Sequence, residues 1–91
     1  MDLDMNRIKE IFGNSAILEI KDNEREFIDN IKYLISLGCP NVYELVEIYP
    51  YTFLIDTNDF KSKVKTLLDS LGVESFEKIE NNLEIWGSLD E

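Results

Sequence analysis

With 91 residues, 44% of them hydrophobic and including five Phe, four Tyr and one Trp, the chain is long enough for one core and too apolar for a disordered segment. Nineteen acids against nine bases give a net charge of −10, a field that repels phosphate backbones and anionic headgroups and so disfavours direct nucleic-acid or membrane-surface binding. Histidine is absent and Cys39 is the single cysteine, which excludes His-based general bases, Ser-His or Cys-His nucleophiles, thiolate zinc sets and any intrachain disulfide.

Helical periodicity dominates from the start. Met5, Ile8, Ile11 and Phe12 make one apolar stripe on a short first helix, broken by Gly13-Asn14. Asn14 or Ser15 then caps a brief segment, Ala16 to Ile20, that fits a helical turn or a short strand, with helix preferred. Asn23 followed by Glu26 resembles a capping box. After it Phe27, Ile28, Ile31, Leu34, Ile35 and Leu37 form a broad apolar face that stops at Gly38.

Pro40 suits the first turn of the next helix, with Val42, Leu45, Val46 and Tyr49 inward and Pro50 at its end. Tyr49 to Ile55 is a compact apolar connector, expected as a helical or 3₁₀ turn. Thr57 or Asn58 is expected to cap a helix carrying Phe60, Val64, Leu67, Leu68 and Leu71, stopped by Gly72. A last helix is expected from about Glu74, with Phe76, Ile79 and Leu83 inward and Trp86 and Leu89 folding back as a closing lid.

Two stretches echo one another. Ile31 to Leu54, with Tyr33-Leu34, Leu37-Gly38, Leu45, Val46, Pro50 and Phe53-Leu54, resembles one repeat of the mitochondrial transcription termination factor family. A second copy, Val64 to Trp86, keeps Leu67, Leu68, Leu71 and Gly72 but has Asn81, Asn82 and Leu83 where the family has its proline. The resemblance implies triangular units of two α-helices and a 3₁₀ helix. It also implies the family's nucleic-acid binding through a basic concave face built over many repeats.

Motifs for chemistry are few. The stretch Asp56-Thr57-Asn58-Asp59 hints at a calcium loop but places Lys61 where glycine belongs and Leu67 where the bidentate Glu belongs. The four glycines stand apart, and none opens a phosphate cradle. Cys39, next to Pro40 at a helix start, admits a lowered thiol pKa, although a small capping or core role explains it better. Lys61, Lys63 and Lys65 read as ordinary surface. Core filling between two hairpins explains Tyr49, Tyr51, Phe53 and Phe60; an interface anchor with Tyr51 most exposed is the other reading.

The sequence therefore predicts an all-α single domain over residues 1–91, a small array of antiparallel or right-angled helical hairpins with five to seven short helices. No enzyme activity, cofactor or metal is expected. The lack of a secretory leader, of an apolar span and of paired cysteines points to the cytoplasm. The function expected is a small acidic protein-interaction or regulatory module. Its partner would be another, basic protein, anchored by Tyr49, Tyr51 and Phe53 and steered by Glu77, Glu80 and Glu84 on one helical face.

Two alternatives stay open. A nucleic-acid mimic that inhibits a basic nucleic-acid-binding protein needs Glu74, Glu77, Glu80, Glu84 and the N-terminal acids in one continuous strip. A weak nucleic-acid-binding repeat needs Lys61, Lys63 and Lys65 on one concave face. Oligomeric state is left open by the sequence.

Overall fold

Local sequence sets each helix end, and the ends set the architecture. A computed structural model describes residues 3–90, which form seven α-helices and two 3₁₀ turns with no strand among them. Helix α1, Met5–Phe12, begins where Asp4 Oδ1 accepts a hydrogen bond from the Arg7 N–H at 3.1 Å. Helix α2, Asn14–Asp22, follows directly and buries Ala16 and Ile20, so this segment is helix and not strand. Helix α3, Glu24–Ser36, buries Phe27, Asn30, Ile31 and Leu34.

Two expected caps are corrected. Asn23 makes no capping bond to α3. Its Nδ2 instead donates to the Glu19 carbonyl at 2.9 Å, closing the end of α2, because only one residue separates the two helices. Helix α5, Thr57–Leu71, is capped one residue before Thr57, by Asp56, whose Oδ2 accepts from the Asn58 and Asp59 N–H groups.

Gly38 ends α3 as expected. Its φ of 89° lets its N–H reach the Ile35 carbonyl at 2.9 Å while the Cys39 N–H reaches Leu34 at 3.4 Å, the paired bonds of a Schellman closure. Pro40 lies in the turn before helix α4, Val42–Ile48, and not in its first turn. A 3₁₀ turn, Pro50–Leu54, then carries the chain to α5. After Gly72 come helix α6, Ser75–Asn81, helix α7, Glu84–Gly87, and a closing 3₁₀ turn, Ser88–Asp90.

The helix expected from about Glu74 ends at Asn81, and Trp86 and Leu89 fold back into the core as expected, Trp86 from a second short helix. The break falls at Asn82, whose extended backbone (φ −144°, ψ 89°) turns α7 back so that Trp86 enters the core. Each of the two longest helices ends in Leu-Gly, and each is followed by a seven-residue helix and a short turn.

Every helix contributes to the core, from Ile8 of α1 to Trp86 of α7, and its aromatic centre lies between α3, the first 3₁₀ turn, α5 and α7. Phe53 stacks on Trp86 with centroids 5.7 Å apart, and Phe60 meets Phe53 at 5.5 Å and Trp86 at 6.1 Å. Such aromatic pairs add about 0.5–1.5 kcal/mol each beyond the area they bury. Polar groups inside pin the turn: Asn30 Nδ2 donates to the Phe53 carbonyl at 2.9 Å and to the Ile55 carbonyl at 2.8 Å. Trp86 Nε1 donates to Thr52 Oγ1 at 2.9 Å, and that hydroxyl donates to the Tyr49 carbonyl at 2.7 Å. The radius of gyration, 12.6 Å, matches the ~12 Å expected for one compact body of this length.

Candidate interaction surface

The aromatic corner belongs mostly to the core. Phe53 has no exposed surface, so it is corrected from anchor to core residue: the turn that carries it is pulled inward by Asn30 and faces Phe60 and Trp86. Tyr49 is half-buried against Gly87, where an added Cβ would stand 3.1 Å from its ring, so glycine lets α7 approach the tyrosine face. Tyr51, also half-buried, meets the Phe12 ring edge-on at 5.8 Å.

Glu77, Glu80 and Glu84 are all exposed, but they do not share a helix face. Glu77 and Glu80 stand on α6 and Glu84 on α7, separated by the Asn82 break. Lys78 stands between them, its Nζ donating to the Leu71 carbonyl at 2.6 Å. Of the N-terminal acids that a continuous strip would require, Asp2 lies outside the described residues. The lysines diverge too. Lys61 Nζ sits 5.3 Å above the Tyr33 ring on the α3 side, whereas Lys63 Nζ donates to the Leu89 carbonyl of the closing turn.

Cys39 is half-buried, and burial pushes its thiol above the ordinary value of 9.0, helped by nearby Glu80 and opposed by a backbone hydrogen bond from Asn41. The lowered pKa that its position before Pro40 admits is therefore corrected: desolvation outweighs the amide. Among the described residues no group of three or more His, Cys, Asp or Glu side chains could hold a metal ion, and no helix is long and apolar enough to cross a membrane.

What the sequence reading missed is a groove on the outer side of α3. Its first section, about 480 Å³, is walled by Met5, Ile20, Phe27 and Ile28, with Lys21 and Glu24 on the rim. The next section, about 450 Å³, shares Phe27 and Ile28 and continues past Leu3, Ile31, Lys32, Ile35 and Tyr43. Ile28 is 40% exposed and Ile35 47% exposed, seven residues apart on one side of the helix. The signal was present as the unusual breadth of the α3 apolar face, wider than one layer of neighbours covers.

Two other cavities carry less. One, about 400 Å³, lies beside the Arg7–Glu47 ion pair, 3.7 Å, that joins α1 to α4. The other, about 310 Å³, is lined by Ser62, Thr66, Ser70 and Ser88. Of these, Thr66, Ser70 and Ser88 already donate to their own helix carbonyls. Comparison of the chain with protein-family models, with curated proteins and with solved structures finds no match.

Proposed function

We propose that this chain is a small acidic protein-interaction or regulatory module that acts by surface complementarity, without catalysis of its own. The observation that carries this reading is the continuous apolar groove over Phe27 and Ile28, with Ile28 and Ile35 left half in solvent. Its shape fits an amphipathic helix laid along α3, apolar residues inward and charges of both signs at the edges, facing Lys21, Glu24 and Lys32. The Leu-Gly closures at Gly38 and Gly72, each followed by a seven-residue helix, support reading the chain as two tandem repeat-like units. The acidic α6–α7 end, with Glu77, Glu80 and Glu84 exposed, is where a basic patch on a partner would be drawn.

The test is affinity capture with immobilised wild type, with Ile28→Ser/Ile35→Ser, and with Leu18→Ser as a control at an exposed position outside the groove. The prey is native host lysate supplemented with tagged copies of the chain itself. The reading expects proteins held by wild type and by Leu18→Ser to be lost from the double variant. Equal retention by all three baits, or no capture by wild type, overturns it.

A further inference from the structure

We propose that the polar cleft beside the Arg7–Glu47 ion pair binds a guanidinium group, the head of an arginine side chain on a basic partner. The arginine source rests on the interaction reading above; the guanidinium site does not. The cleft, about 400 Å³, falls within the roughly 300–1,000 Å³ range of small-ligand pockets. Arg7 lines it from α1, and Asn41, Tyr43, Glu44 and Glu47 line it from α4 and the turn before. Tyr43 also walls the groove along α3, so the two adjoin.

Glu47 is the residue that points to a ligand. Its side chain is only 17% exposed, and its ion-pair partner, Arg7 Nε, stands 3.7 Å from Oε1, too far for a hydrogen bond. Among the described residues no N–H or O–H donates to this carboxylate, whereas Glu44 Oε1, three residues earlier, accepts from Asn41 Nδ2 at 3.1 Å. Arg7 itself is 57% exposed and loosely placed, so it does not replace the donors that burial takes from Glu47. The cleft walls carry two carboxylates and one guanidinium, which leaves a single negative charge without a partner.

A planar guanidinium meets this set better than other cations. Its fork donates two parallel N–H bonds to one carboxylate, which supplies what Glu47 lacks. Its face packs on an aromatic ring, here Tyr43, and its methylene stem packs on apolar walls, here Val42 and Ile48. An ammonium brings a point charge without the fork, and a hard metal ion needs more oxygen ligands than two carboxylates supply. The net charge of −10 raises the local concentration of any such cation.

Titration of the isotope-labelled full chain with N-acetyl-arginine-N-methylamide at fixed ionic strength, followed by amide NMR, tests the proposal. Saturable shifts centred on Val42–Ile48 are expected, with a millimolar Kd, weaker binding of the lysine analogue and none of the uncharged citrulline analogue. Glu47→Gln is expected to weaken binding about tenfold, and Arg7→Gln to strengthen it about threefold by removing the competing cation, while Glu77→Gln on α6 leaves it unchanged. Both cleft variants break the same ion pair, so a merely structural effect moves them in one direction and a binding site moves them in opposite ones. Equal binding of the citrulline or lysine analogue, an equal loss in Glu77→Gln, or a change of the same sign in Glu47→Gln and Arg7→Gln overturns the site. If wild type binds the arginine probe in the cleft but captures no lysate protein, the partner's arginine is overturned as the source and the site stands for a free guanidinium compound.

Discussion

Replacing Thr52 by valine tests whether the Trp86–Thr52–Tyr49 hydrogen-bond chain holds the first 3₁₀ turn to the C-terminal helix. Valine keeps the shape and removes the hydroxyl, so the buried Trp86 Nε1 loses its acceptor. The Tyr49 carbonyl still accepts the Thr52 N–H at 3.2 Å, so the main loss falls on the indole. One buried donor left unpaired costs about 1–3 kcal/mol. Thr52→Ser keeps the hydroxyl and removes one methyl, for about 1 kcal/mol.

Against a total of roughly 5–14 kcal/mol for a domain of this size, a loss of about 2 kcal/mol is large, and it corresponds to a fall in Tm of about 8–16 °C. Trp86 is the only tryptophan, so urea unfolding followed by its emission reports on this site, with circular dichroism as the global check. In the double-mutant cycle with Trp86→Phe, which has no N–H, the two losses are expected to fall short of additivity by about 1 kcal/mol or more. Thr52→Val no worse than Thr52→Ser, together with full additivity, would refute the reasoning.

Three further outcomes are expected. Asn30→Asp places a carboxylate against the Phe53 and Ile55 carbonyls in place of an amide donor. That raises the carboxyl pKa in the folded state, so the variant holds its stability below the ordinary carboxylate value of about 4 and loses it as pH rises above that value, measured as Tm against pH. Glu74 holds φ at 62°, a left-handed conformation that costs a non-glycine residue about 1–2 kcal/mol, so Glu74→Gly is expected to raise the urea midpoint by about 0.5–1 kcal/mol equivalent after glycine's entropic penalty; a lowered midpoint contradicts this. Burial raises the Cys39 thiol above 9.0, so iodoacetamide labelling of the folded protein has its pH midpoint above that of the urea-unfolded chain. The same shift means that this thiol's contribution to stability is present below the unfolded thiol's pKa and is lost as pH climbs through the folded one.

Much of the fold was readable along the chain. The stripe of Met5, Ile8, Ile11 and Phe12, the stops at Gly38 and Gly72 and the apolar turn after Pro50 correspond to α1, the ends of α3 and α5, and a 3₁₀ turn. These features depend on neighbours three to five residues away, and so on the local sequence. Caps were read less well: Asn23 bonds back to Glu19 and not forward into α3, and Asp56 has Thr57 and Asn58 beside it as candidates, so the outcome depends on where the next helix packs.

Long-range contacts settled the surface. Whether Phe53 faces solvent or Trp86 depends on Asn30, twenty-three residues earlier, reaching its carbonyl, and no local pattern encodes that bond. The split between α6 and α7, which takes Glu84 off the face of Glu77 and Glu80, follows from drawing Trp86 under Thr52. The breadth of the α3 apolar face was visible in the residues themselves. Which part of it stays open was not, because the packing of the other helices leaves Phe27, Ile31 and Leu34 buried and Ile28 and Ile35 exposed beside a groove. Periodicity marks which residues can be buried, and only the arrangement of the other helices selects which of them are.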